Sequence, residues 1–136
     1  MQPPPLVPSS RDPGAQAPRR GVLIVDDDRD IRETLQEILE QEGYEVATAK
    51  DGLDALDTAR DERPAVILLD LFMPVMDGIE FRRRQLLDPE LAEIPVVVVS
   101  AAAGVEDSVS ALGVAAHLEK PLRIEQLFEV VARYCG

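Results

Sequence analysis

The sequence predicts an α/β fold: a parallel five-stranded sheet, doubly wound, with helices on both faces. Three observations carry this. From Gly21 onward, strand-like and helix-like segments alternate five times in about 115 residues, and strict alternation implies parallel strands joined by right-handed crossovers. The segments at 22–25, 66–69 and 96–99 are apolar throughout, as strands covered on both faces are. Gly43, Pro64, Asp88-Pro89 and Gly113 fall between the periodic segments, where chain breaks belong.

The elements follow in order. Val22–Val25 is a β-branched-rich run that ends in Asp26. Asp28 reads as an N-cap, and Ile31, Leu35, Ile38 and Leu39 then mark one face of a helix stopped by Gly43. Glu45–Ala49 reads as a short strand. Asp51–Asp61 reads as a helix with Leu53, Leu56 and Ala59 inward, and Ala65–Asp70 as the next strand. Asp77–Leu87 reads as a helix whose apolar stripe is Met76, Ile79 and Leu86. Arg83 lies in the middle of that stripe, its aliphatic stem expected over the core, and the run Arg82–Arg84 is expected as a solvated basic face. Pro95–Ser100 is a strand, Gly104–Leu112 a short helix, Ala116–Leu118 a short strand. Ile124–Tyr134 closes the fold as a helix with Ile124, Leu127, Phe128 and Val131 inward.

Composition bounds the function. The chain has 136 residues, room for one domain with a real core. The single Cys excludes an intrachain disulfide and fits a reducing, cytoplasmic setting, with Cys135 a free thiol. No apolar run reaches the roughly 18 residues of a membrane span, so no membrane is expected. The formal net charge of −12 argues against a nucleic-acid surface. Residues 1–20 hold 6 of the 11 prolines, three Arg and one Asp. With so few large apolar groups this stretch is expected to be a disordered, Pro-rich tail, leaving residues 21–136 as the domain.

A doubly wound sheet binds ligands beyond the C-terminal ends of its strands. Here those ends carry Asp26-Asp27-Asp28, Asp70, Ser100 and Glu119-Lys120-Pro121. Carboxylates gathered on one rim repel unless a cation joins them. An oxygen-only donor set suits Mg²⁺, which keeps few protein ligands and accepts phosphate oxygens. A carboxylate can also serve as a nucleophile and form an aspartyl-phosphate.

At these positions the sequence resembles the receiver domain of two-component response regulators, the stand-alone chemotaxis type included. The resemblance runs from Gly21 to Tyr134 and rests on VLIVDDDRDIR, VILLDLFMPVMDG, PVVVVSA and HLEKP, in that order and spacing. It implies a flavodoxin-like sheet in the order 2-1-3-4-5. It implies Asp70 as phosphoacceptor, and Asp26, Asp27, Asp70 and the backbone carbonyl of Phe72 as Mg²⁺ ligands. Lys120 and Ser100 would bind phosphoryl oxygens, Ser100 and His117 would form the switch, and Pro121 would follow a cis peptide bond. The implied role is regulatory rather than that of a turnover enzyme. A sensor histidine kinase or a histidine phosphotransfer protein would donate the phosphoryl group, and an effector protein would read the outcome or the group would be relayed onward.

Other readings weigh less. Asp26-x-Asp28 loosely mimics haloacid-dehalogenase-type phosphatases, but the chain is short and has no acidic pair after Lys120. A phosphorylation-independent adaptor, or a receiver excised from a larger transcription factor or hybrid kinase, are the remaining alternatives. His117 stands where the family usually has an aromatic residue; its plainer reading is a partly buried ring with a backbone partner. Phe72 and Ala102, two residues after Asp70 and Ser100, flank the approach of water to Asp70 in the family, and neither can orient it.

Overall fold

The computed structural model describes residues 21–100 and 111–135. Along the chain lie β1 (Gly21–Val25), α1 (Arg29–Gln41), β2 (Glu45–Ala49), α2 (Gly52–Glu62), β3 (Val66–Asp70), α3 (Gly78–Leu87), β4 (Val96–Ser100), β5 (Ala116–Glu119) and α4 (Ile124–Cys135). All strand pairs are parallel, and the sheet order is β2-β1-β3-β4-β5. Alternation and resemblance together predicted this topology. Ala111 and Leu112 are helical. The rest of the helix expected over 104–112, the expected tail at 1–20 and Ala102 lie outside the described residues.

The period-2 geometry of strands divides the core cleanly. Leu23, Val25, Ile67, Leu69, Val96 and Val98 face α2 and α3, where Ala55, Leu56, Ala59 and Phe81 meet them. Val22, Ile24, Val66, Leu68, Val97 and Val99 face the other way, toward Leu39 of α1 and Leu127, Val130 and Val131 of α4. Every residue of β3 and β4 is buried. Each large apolar side chain removed from water in this way contributes about 2 kcal/mol. Asp28, Asp51 and Asp77 cap α1, α2 and α3 by accepting first-turn backbone N–H groups. Such a cap stabilises a helix by about 1 kcal/mol.

Three inner faces differ from expectation. In α2, Leu53 is half-exposed, while Ala55, Leu56 and Ala59 are buried, because small residues let the helix lie close on the sheet. In α4, Ile124 is exposed, and Leu127, Val130, Val131 and Cys135 form the inner face; Ile124 sits in the first turn, before the helix reaches the sheet. The largest shift is in α3. Phe81 takes the core position, and at about 100° per residue this turns Arg82 and Gln85 inward and leaves Ile79 and Leu86 exposed. Arg83 does not cover the core. It lies outside with Arg84, both paired to Glu80, so only part of the expected basic face is solvated.

Candidate functional site

Because the strands are parallel, β1, β3, β4 and β5 all deliver their C-terminal residues to one rim. Asp26 follows β1, and its backbone N–H donates to the carbonyl of Ala49 (3.1 Å). Its Oδ1 accepts the Asp28 N–H (2.9 Å), and its carbonyl accepts Arg32 Nη1 (2.7 Å). The buried Asp26 is thereby fixed at both its carboxylate and its backbone. Asp27, the next residue, is exposed at the rim. Asp28 is committed elsewhere, as the α1 cap holding the N–H groups of Asp30 (2.9 Å) and Ile31 (3.3 Å).

Asp70 ends β3, the central strand, and is buried. The Phe72 N–H donates to its Oδ1 (3.3 Å), folding the chain back over the carboxylate. Gly78 explains how α3 begins so close: a Cβ there would lie 2.5 Å from the Asp70 carbonyl oxygen, and its N–H bonds the Leu71 carbonyl (2.9 Å). Only glycine permits this approach. Between them runs a loop in which Val75 is exposed with φ 69, an uncommon backbone state for a β-branched residue. The loop is held by the Gly52 N–H on the Met76 carbonyl (2.8 Å).

Lys120 follows β5. Its Nζ lies 2.9 Å from Asp26 Oδ2 and 3.7 Å from Asp70 Oδ2. The Lys120–Pro121 peptide bond is cis. Ser100, buried at the end of β4, stands opposite Glu119 and one residue past Val99, the partner of Asp70. Its carbonyl accepts the Lys120 N–H (3.0 Å). His117 is opposite Val98 on β5. Its Nε2 is buried and, among the described residues, has no hydrogen-bond partner, so the backbone partner of the plainer reading is not found at that atom.

The electrostatics of the rim are unbalanced. Carboxylate oxygens of Asp26, Asp27 and Asp70 all lie within 4.8 Å of one another. Burial raises the Asp70 pKa above the usual carboxylate value; Lys120 opposes this, and Asp26 and Asp27 add to it. Burial pulls the Lys120 ammonium down, but its hydrogen bond and attraction to Asp26 and its attraction to Asp70 leave it above the ordinary value. One ammonium among three carboxylates leaves room for a further cation. The donors are all oxygen, and one of them is exposed, so the residues fit a hard divalent ion that retains water.

The sequence did not point to Arg32, to the close approach at Gly78, or to a cavity of about 540 Å³ that runs from Asp70 and Lys120 between Ile31, Leu35 and Leu122. Arg32 has only its one-turn spacing from Asp28 as a signal. Gly78 is marked by the Asp-Gly step that starts α3. The cavity has no local signal, because it depends on the gap between α1 and the segment after Lys120.

Comparison with known proteins agrees with this geometry. The family model described as the response regulator receiver domain matches residues 22–132. The polar-differentiation response regulator DivK of Brucella anthropi is 34% identical over 119 residues, 86% of this chain and 97% of DivK. The solved structure of the chemotaxis protein CheY4 of Vibrio cholerae superposes with a TM-score of 0.77 at 34% identity, covering 85% of this chain and 98% of CheY4. The response regulator TrrA of Thermotoga maritima, solved in complex with Mg²⁺ and BeF, gives 0.75 at 27% identity over 85% of this chain and 98% of TrrA.

Proposed function

The chain belongs to the response regulator receiver family, and from that premise we propose that it accepts a phosphoryl group on Asp70 from a phosphohistidine donor. The observation that carries this is the Asp70 carboxylate itself. It sits at the end of the central strand, with Asp26 and Asp27 oxygens within 4.8 Å and the Lys120 ammonium at 3.7 Å. In the step, an Asp70 oxygen forms the new O–P bond as the N–P bond of the donor breaks, and the imidazole leaves with that bond's electron pair. The protein's contribution is positioning and charge. Lys120, already aimed at Asp70, pairs with one phosphoryl oxygen, and the Ser100 hydroxyl donates to another. Asp26, Asp27, Asp70 and the Phe72 carbonyl would hold Mg²⁺, the ion bound in the TrrA complex. When bound there it neutralises charge on the transferring group.

The product adds negative charge beside Ser100 and β5, and biases the surface built by β5 and α4 between two states. An effector protein reads that surface, or the phosphoryl group passes on in a relay. The role is that of a regulatory phosphoacceptor in the cytoplasm. Among the described residues, no helix is long and apolar enough to cross a membrane. We assign residues 21–136 to the receiver unit. Incubation with phosphorylated histidine kinases and phosphotransfer proteins tests the reading. Rapid transfer from one of them in Mg²⁺, abolished by Asp70→Asn, supports it; undiminished labelling of Asp70→Asn overturns it.

A further inference from the structure

α3 carries two buried polar side chains whose bonds all run to backbone outside the helix or to each other. Arg82 donates from Nε to the Leu112 carbonyl (3.0 Å) and from Nη2 to the Gly113 carbonyl (2.9 Å), and its Nη1 donates to Gln85 Oε1 (2.7 Å). Gln85, fully buried, donates from Nε2 to the carbonyls of Leu91 (2.8 Å) and Ile94 (3.0 Å). No carboxylate pairs with Arg82 among the described residues. Burying a cation without its hydrogen bonds is costly, so the fork holds its place only while those carbonyls hold theirs.

The carbonyls are not arbitrary ones. Leu91 and Ile94 lie in the turn that leads into β4, and Leu112 and Gly113 lie just before β5. β4 ends at Ser100, and β5 ends one residue before Lys120. We propose that Arg82 and Gln85 are positioning residues for Ser100 and Lys120: from α3 they fix where β4 and β5 begin, and therefore where those two groups end. The proposal rests on the reading of Asp70 as the phosphoacceptor.

The strands are short, four or five residues, so a displacement at the start of one lies only about 13–17 Å from its far end. β5 is most exposed to such a shift. It has four residues, lies at the edge of the sheet and pairs only with β4. Its approach turns at Gly113, φ 65, and is otherwise tied by the Ala115 N–H on the Val96 carbonyl (2.8 Å). An apolar side chain at position 82 would fill the same space but would order neither carbonyl. By contrast, Asp26, Asp27 and Asp70 ride on β1 and β3 or follow them, whose starts the network does not touch.

The test uses the full chain with acetyl phosphate as donor and Mg²⁺. Arg82→Leu is expected to slow phosphorylation at saturating donor by about ten- to a hundredfold, the scale of a small misplacement, with Mg²⁺ affinity unchanged. In the unphosphorylated protein, backbone amides of 115–119 are expected to exchange faster in Arg82→Leu, while those of β1 and β3 keep their protection. Arg82→Lys, which keeps the charge without the fork, is expected to recover part of the rate, and carries the comparison if Arg82→Leu does not fold. A wild-type rate in Arg82→Leu, or faster exchange spread evenly over β1, β3 and β5, overturns the positioning role. Failure of the wild type to take up phosphoryl groups would overturn the Asp70 reading as well; normal uptake with no effect of the substitution overturns this proposal alone.

Discussion

Among the described residues, the polar cluster at the rim and the polar pair in α3 are built on opposite principles. At the rim, Asp26, Asp27 and Asp70 crowd within 4.8 Å around a single ammonium, so charge is left over. In α3, Arg82 and Gln85 spend their bonds on four carbonyls and on each other, so little is left over. A polar group whose bonds close locally holds backbone in place. A crowd of like charges with too few counter-charges is prepared to receive a cation from outside. Substitutions in the two sets should therefore move stability in opposite directions.

The largest effect is expected in the closed set. Gln85→Ala leaves a cavity, two carbonyls without their donor and Arg82 short of an acceptor, and should cost about 3 kcal/mol by denaturant unfolding. An unchanged midpoint would mean that the network does not hold the β4 entry. At the rim the sign reverses. The Asp70 pKa is raised by burial, against Lys120 and with Asp26 and Asp27, so the folded state takes up a proton more readily than the unfolded chain. Ionised Asp70 then costs stability, which is gained as pH falls through the folded value and is complete below the ordinary 3.8. In chelator at neutral pH, Asp70→Asn should raise Tm, and the gain should vanish in acid; a fall in Tm at neutral pH would contradict the comparison.

Phe72 sharpens it kinetically. The side chain is 54% exposed beside Asp70 and offers water no acceptor. Phe72→Asn should speed loss of the phosphoryl group by about tenfold, a modest gain from positioning one water; an equal or longer lifetime would remove Phe72 from the account. The smallest effect belongs to Glu80, outside both sets. Hydrogen bonds from Arg83 and Arg84 hold its carboxyl at about 2, below the ordinary 4.5. Its contribution is present above 4.5 and fades as pH falls toward 2. Because the group is exposed, Glu80→Gln should lower the neutral-pH Tm only slightly, and less in high salt. A large, salt-independent loss would show that the ion pairs matter more than their exposure allows.

The rim was legible at Asp26, Asp70 and Ser100 because each ends or follows an apolar run, whereas Lys120, after the mixed segment Ala116–Glu119, was marked by the Lys-Pro step of the family motif. A strand buried on both faces announces its own end, and Asp26, Asp70 and Ser100 stand at such ends. The same logic gave the sheet and most helix limits to within a residue. Strand order came from family resemblance, since pairing is non-local. The inner face of α3 was not legible. Arg82 and Gln85 break the apolar period, and the Arg82 acceptors lie 30 and 31 residues away, where no local pattern can announce them. Leu53 and Ile124 misled because a first-turn residue can fit the period before the helix reaches the core.

The most direct test of the central claim is the intact mass of the wild-type protein after incubation with acetyl phosphate, with and without Mg²⁺, beside Asp70→Asn. The account predicts one added phosphoryl group on the wild type, located by peptide mapping to Asp70, none in chelator and none on a folded Asp70→Asn. A phosphoryl group on Asp70→Asn, or on any residue other than Asp70 in the wild type, would contradict it.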